Sequence, residues 1–357
     1  MHSRKQFIKN TLALASGSIL AGFRPNQNSL SRALFSPSYI SFDLHCHPGR
    51  LFAQGSSDFG PPMVPDKTLN EMNQVHLSGA FFSLVADSKL IKLGPTGVNI
   101  AGKYHSGEAW AEYKRQLKDM KDYFLNYHVR FATHAHDLDR TNTLAAFISV
   151  EGGDFLEGQV DKLDEAYVDG IRSVQLVHYA PNDLGDLQTS VILHQGLSSF
   201  GKDVVRRMNQ LGLLIDVAHA TYQTAKDVAD ISDAPIMLSH SILQMESDRP
   251  IAVRAISKEH AKVVAGTGGV IGAWPSGFNK SFDEYVDNIF RLIDVAGIDH
   301  VGLGTDMDGN FKPVLSSYTQ FPPLSESLLH KGLSSKEMKK VMGGNVARVL
   351  NKVLKGN

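Results

Sequence analysis

The chain has 357 residues, with 36 Lys and Arg against 37 Asp and Glu, 15 His and a single Cys. A formal charge of −1 offers no electrostatic footprint for nucleic acid or an anionic membrane, and 42% hydrophobic with 20% charged residues excludes disordered and fibrous classes. One Cys excludes an internal disulfide framework and Cys-rich metal sites, so any metal must be held by His and carboxylates.

The first ten residues are basic, and residues 11–23 are small and apolar. That stretch is shorter than the roughly 20 apolar residues a membrane span needs. Ser3-Arg4-Lys5-Gln6-Phe7-Ile8-Lys9 resembles the twin-arginine export motif, with Lys5 where the second arginine stands. The pattern predicts an export signal and linker over 1–36 and a periplasmic protein, by the twin-arginine or the Sec route. An uncleaved membrane anchor is the alternative. Residues 37–357 are then one catalytic domain, with no later stretch of membrane-spanning length.

From residue 39 onward, eight nearly continuous apolar runs recur at 39–47, 79–87, 145–151, 171–179, 212–219, 235–240, 268–274 and 300–306. Such runs suit strands buried on both faces. Between them lie amphipathic stretches such as 201–211 and 257–265, and 108–128 reads as a long polar helix. Eight strands alternating with helices predict a (β/α)8 TIM-type barrel, of the metal-dependent hydrolase kind once the strand ends are considered. A doubly wound open sheet would use similar strands, but no Gly-x-Gly-x-x-Gly or Walker-type loop follows any of them.

Metal-binding residue types collect at the C-terminal ends of the runs, where barrels build active sites. The first run ends His45-Cys46-His47, and strand alternation turns both imidazoles to one side. The third ends Glu151-Gly152-Gly153, the fourth His178-Tyr179, the fifth at His219, the sixth at His240, and the eighth at Asp306. A single His after an apolar run is more often structural than a ligand, by roughly three to one. Their coincidence at one barrel mouth changes that weighting. Two imidazoles from one strand, two from later strands and a bridging carboxylate suit two divalent ions of the zinc type, about 3.5–4 Å apart. Cys46 should point away from them as a small buried hydrophobe rather than act as a catalytic thiol. His134-Ala135-His136 imitates the first motif but reads as surface, being followed by Asp137-Leu138-Asp139-Arg140.

At these residues the chain resembles the membrane (renal) dipeptidase family of binuclear zinc dipeptidases, from about residue 42 to 350. The resemblance is carried by Val150-Glu151-Gly152-Gly153, Met208-Asn209-Gln210-Leu211-Gly212, Leu238-Ser239-His240-Ser241, 302–309 and 343–350. It implies two divalent metal ions, zinc by family habit, with His45, His47, Glu151, His219 and His240 as ligands and Glu151 bridging. It further implies that His178 contacts substrate and steadies the oxyanion, that Asp306 handles protons, and that Arg249 receives the substrate carboxylate. Two departures stand out: the family has His-x-Asp where this chain has His45-x-His47, and Asn where Pro250 follows Arg249.

The resulting expectation is an exported dipeptidase in which a metal-bridged hydroxide attacks the peptide bond, the metals lowering the water pKa from about 16 toward about 7. Its partner is a dipeptide and, as in many such barrels, a second copy in a homodimer. His45-x-His47 keeps open a related lactonase, amidase or phosphotriesterase-like hydrolase. A non-catalytic periplasmic binding protein on the same scaffold is a third reading.

Overall fold

The computed structural model describes residues 39–54, 65–94, 97–139, 143–244 and 253–354. The expected export segment at 1–36 and Arg249 lie outside the described residues.

All eight expected strands are present, most of them shorter than the runs, with β3 spanning its run in full and β6 ending one residue later: β1 Phe42–Cys46, β2 Gly79–Val85, β3 Ala145–Glu151, β4 Ile171–Gln175, β5 Leu214–Asp216, β6 Met237–Ser241, β7 Val270–Ala273 and β8 Val301–Leu303. Each pairs in parallel with the next, and β8 pairs with β1, so the sheet closes on itself. The helices are α1 Pro65–Gln74, α2 Glu108–Asn126, α3 Lys162–Asp169, α4 Ser199–Leu211, α5 Tyr222–Ile231, α6 Lys258–Gly266, α7 Phe282–Ala296, α8 Phe321–His330, α9 Ser335–Lys339 and α10 Asn345–Val353. No helix among the described residues is long and apolar enough to cross a membrane.

Local chemistry sets the helix starts. Ser198, Thr221, Ser257 and Ser281 each accept an amide from the first turn of α4, α5, α6 and α7, a capping contact worth about 1 kcal/mol. The helix expected over 108–128 stops at Asn126, and His128 turns left-handed (φ 53°). Two features carried no clear pattern in the sequence: the antiparallel hairpin Ile91–Gly94/Gly97–Ile100 and the short strand Arg130–Phe131 beside β3.

Alternation divides the strands between two apolar regions. Phe42, Phe81 and Phe147 meet inside the barrel with ring centroids 5.6–5.9 Å apart, joined by Leu44, Leu214, Met237 and Val270. Val346, Val349 and Leu350 of α10 close this floor. On the outer side Leu84, Ile148, Val174, Leu238 and Ile271 pack with Leu117 and Met120 of α2, Val204 and Met208 of α4, and Ile289 of α7. Each such side chain contributes about 1.5–3 kcal/mol by leaving water. Gly272 and Gly304 let β7 and β8 close in on β6: a Cβ at either would lie 1.8 Å from the Ser239 carbonyl oxygen.

Two strands carry an extra residue just before their ligand-bearing ends. In β1, Asp43 lies opposite Ala80 but Cys46 lies opposite Phe82. In β6, Leu238 lies opposite Ile271 but Ser241 opposite Ala273. Bulges of this kind re-aim a side chain next to active sites. With Phe42 and Leu44 inside the barrel, the β1 bulge lets His45 and His47 also face inward.

Candidate metal centre

Strand ends and the first residues beyond them bring six side chains to the C-terminal mouth. His45, His47, Glu151, His178, His219 and His240 are all buried, and Asp306 stands partly open at the rim. Glu151 is their centre. Its Oε1 lies 3.4 Å from His45 Nε2, 3.3 Å from His178 Nε2 and 3.4 Å from His219 Nε2, and its Oε2 lies 3.3 Å from His47 Nε2. His240 Nε2 is farther, at 3.9 Å. Asp306 Oδ1 approaches His47 Nε2 to 3.3 Å.

The backbone is bent to achieve this. His219 (φ 65°) and Asp306 (φ 52°) are left-handed, a conformation costing a non-glycine residue of order 1–3 kcal/mol that clusters at functional sites. Gly152, at φ 95° directly after Glu151, makes the sharp exit the sequence suggested; a Cβ there would sit 2.9 Å from Asp154 Oδ2.

The donor set fits divalent cations of the zinc type. The donor atoms form three overlapping trios, His45–Glu151–His240, His45–His47–Asp306 and Glu151–His178–His219, each within 4.8 Å. Imidazole nitrogens also face one another directly: His45 and His47 Nε2 are 3.1 Å apart, as are those of His219 and His240. These imidazoles would relieve that crowding by holding a divalent cation. Outer partners orient the rings: Ser83 O lies 3.1 Å from His47 Nδ1, and Ser239 Oγ lies 3.0 Å from His240 Nδ1.

Electrostatics follow from burial and neighbours. Burial alone would raise the Glu151 pKa, but His178, His45 and His219 hold its carboxyl well below the usual range. Burial opposes a charge on His47, yet Asp306 and Glu151 lift it to about 10, so a cation and a proton compete for its Nε2. Burial and the charge of Arg254 hold His219 well below an ordinary histidine; burial, with His45 and His219 nearby, does the same for His240. Burial lowers His178 too, but Asp87 and Glu151 outweigh it and raise its pKa.

Two residues here were not singled out by sequence. Asp87 accepts from His178 Nδ1 at 2.7 Å and from the amides of Tyr179 and Ala180; its only signal was its place at the end of the second run. Arg254 is 6% exposed, donates to Tyr179 Oη at 3.3 Å and to Gln188 Oε1 at 3.4 Å, and lies over the Trp274 ring at 5.1 Å. Its field reaches His178, His219 and His240. Cys46, as anticipated, turns away, its thiol donating to Phe81 O at 3.3 Å. His134 and His136 stack on the surface.

A closed (β/α)8 barrel with imidazoles and carboxylates converging at its C-terminal mouth defines the metal-dependent hydrolase class. The profile of the membrane dipeptidase family, peptidase family M19, matches residues 36–356, and the chain belongs to that family of dipeptide-hydrolysing metallopeptidases. It is 29% identical over 304 residues to an uncharacterised dipeptidase of Schizosaccharomyces pombe, covering 80% of this chain and 73% of that protein. It is also 29% identical to dipeptidase 3 of Mus musculus over 236 residues, 63% of this chain but only about half (48%) of the mouse protein. In fold it is similar to a probable dipeptidase from Pseudomonas aeruginosa (TM-score 0.75, 21% identity, 91% of this chain and 98% of that one). A metallopeptidase from Rhodobacter sphaeroides, solved with a phosphinate mimic of the dipeptide L-Ala-D-Ala, superposes with TM-score 0.72 at 19% identity over 88% and 99% of the two chains.

Proposed function

We propose that this chain hydrolyses dipeptides with water activated by two divalent cations, zinc in the first instance, held by His45, His47, Glu151, His219 and His240. The observation that carries this reading is the Glu151 carboxylate within 3.3–3.4 Å of four imidazoles from three other strand ends. Cations bound there supply Lewis acidity, lowering the pKa of water and polarising a carbonyl.

The remaining work falls to the protein. Glu151, kept ionised by the surrounding imidazoles, balances cationic charge from the centre of the site. His178, with Nδ1 tied to Asp87, presents an Nε2–H to the oxygen on which charge develops, a contact worth about 3–4 kcal/mol. Asp306, partly open to solvent beside His47, takes the proton of the attacking water and delivers it to the leaving amine. For the substrate's C-terminal carboxylate we favour Arg254 over Arg249: its guanidinium is buried at the site with only two long hydrogen bonds among the described residues. We further propose export to the periplasm, with 1–36 as signal and linker and 37–357 as the mature enzyme, to be checked by N-terminal sequencing of the periplasmic protein.

The test is metal content measured alongside turnover of a dipeptide panel, lactones and organophosphates on one preparation. Two divalent ions per chain and dipeptide cleavage are expected. Metal retention with turnover only of the other substrates would favour a related amidohydrolase, the reading that His47, an imidazole in place of the family's aspartate, supports.

A further inference from the structure

Beside the ligand cluster lie two buried carboxylates that belong to none of the three donor trios. Each sits beside one of the two bulges. Asp43 Oδ1 accepts the amide of His45 at 3.2 Å and that of Thr305 at 2.9 Å. Its Oδ2 accepts the hydroxyls of Thr305 at 2.5 Å and Tyr318 at 2.6 Å. Asp216 Oδ1 accepts the amides of Ala218 at 2.9 Å and Ser239 at 3.0 Å.

The four amides have a common placement. His45 is itself a proposed ligand, and Thr305, Ala218 and Ser239 immediately precede Asp306, His219 and His240. His45 and Ser239 are, moreover, residues of the bulged stretches of β1 and β6. A bulge disrupts the ladder locally, and a buried amide requires an acceptor. A side-chain oxygen fixed in the wall receives such amides at ordinary hydrogen-bond lengths and so sets the direction in which the next side chain leaves the strand.

We infer that Asp43 and Asp216 are positioning residues, each clamping the backbone of two adjacent strands so that the ligands they carry, His45 with Asp306 and His219 with His240, converge on the cations. This rests on the metal-site reading above. It extends that reading by assigning the aim of the ligands to two buried side chains outside the ligand set. Ser239 strengthens the second clamp: its amide is held by Asp216 while its hydroxyl meets His240 Nδ1 at 3.0 Å.

The experiment titrates metal-stripped, folded full-length protein with Zn²⁺ in a calorimeter, and with Co²⁺ followed by its visible absorption. Wild type is compared with Asp43→Ala, Asp216→Ala and the corresponding Asn variants. Asn keeps an oxygen where the amides need it, so affinity should stay within about threefold of wild type, whereas Ala should weaken it by about 10–100-fold and alter the Co²⁺ spectrum. A role in stability alone would lower the melting temperature and leave affinity and spectrum unchanged in the folded variants, which would overturn the inference. So would an Asn loss as large as the Ala loss, since charge and not direction would then be what matters. If the Ala variants do not fold, Asp43→Glu and Asp216→Glu replace them, moving the carboxylate by one methylene: weakened affinity supports the clamp and unchanged affinity removes it. Failure of wild type to bind either ion would instead overturn the metal-site reading itself.

Discussion

His178 and Asp87, 91 positions apart, meet Nδ1 to Oδ1 at 2.7 Å, while the opposite nitrogen of the same ring stands 3.3 Å from Glu151. The contact fixes which edge of the imidazole faces Glu151 and the site. His178→Leu should therefore lower kcat by about 10²–10³-fold, as for the loss of one oxyanion donor. Asp87→Asn, which keeps the ring but weakens its partner, should cost less. Steady-state kinetics with metal content measured in parallel checks both; a His178→Leu enzyme of normal kcat would remove the oxyanion role.

Asp306 reaches His47 at 3.3 Å from a left-handed backbone position. Asp306→Asn preserves shape while deleting the proton acceptor. Metal content should hold and kcat should fall by about 10²–10⁴-fold, the usual scale of general acid–base catalysis. Unchanged turnover would mean that another group carries the proton.

Arg254 is the residue proposed to pair with the C-terminal carboxylate of the substrate. Arg254→Met should raise KM for dipeptides by about 10–100-fold, corresponding to a charge-assisted pair worth about 1.5–3 kcal/mol, and leave kcat nearly as it was. The same variant should treat a dipeptide and its C-terminal amide equally. Continued discrimination between them would return the role to Arg249.

His47→Asp restores the carboxylate that the family pattern carries. It adds one negative charge where the wild-type imidazole is neutral when it binds a cation, so divalent ions should leave more slowly to a chelator. The comparison is the half-life of activity in excess chelator. A shorter half-life would show that the Ser83 contact to the imidazole ring matters more than charge.

His260, in α6, is 2% exposed with no hydrogen-bond partner at Nε2 among the described residues, and burial lowers its pKa from 6.5 to about 4. As pH falls, the unfolded chain takes up this proton first. The folded protein is therefore fully favoured above about pH 7 and loses stability from about 6.5 down to about 4, reaching about 2 kcal/mol at pH 5. His260→Leu should flatten that slope. Urea unfolding of metal-stripped wild type and variant at pH 7 and pH 5 measures the difference; parallel losses in the two would exclude His260 as the cause.

The ligand-type residues were legible because barrel strands are short and apolar, so a polar residue at the end of each run stands out and the fold assigns it to the mouth. What was not legible depended on approach through space. Asp87 closes the second run in plain view, but nothing nearby in sequence announces His178. Two arginines five positions apart carry the same chemistry, and the burial of Arg254 against Tyr179 and Trp274 is visible only in three dimensions. The bulges escaped because strict alternation would put Asp43 on the same face as His45 and His47. One extra residue in β1 turns Asp43 outward toward Tyr318 while both imidazoles still point in.

The chain's one thiol is fully buried between His45 and His47, with Sγ against Phe81 O. A thiol-specific reagent therefore has a single address in the folded protein, and it becomes reachable only when the apolar layer between sheet and helices opens around it. The rate of Cys46 labelling is thus a clock for opening of the layer packed behind the end of β1. A cation seated on the flanking imidazoles should slow that clock without touching the sulfur.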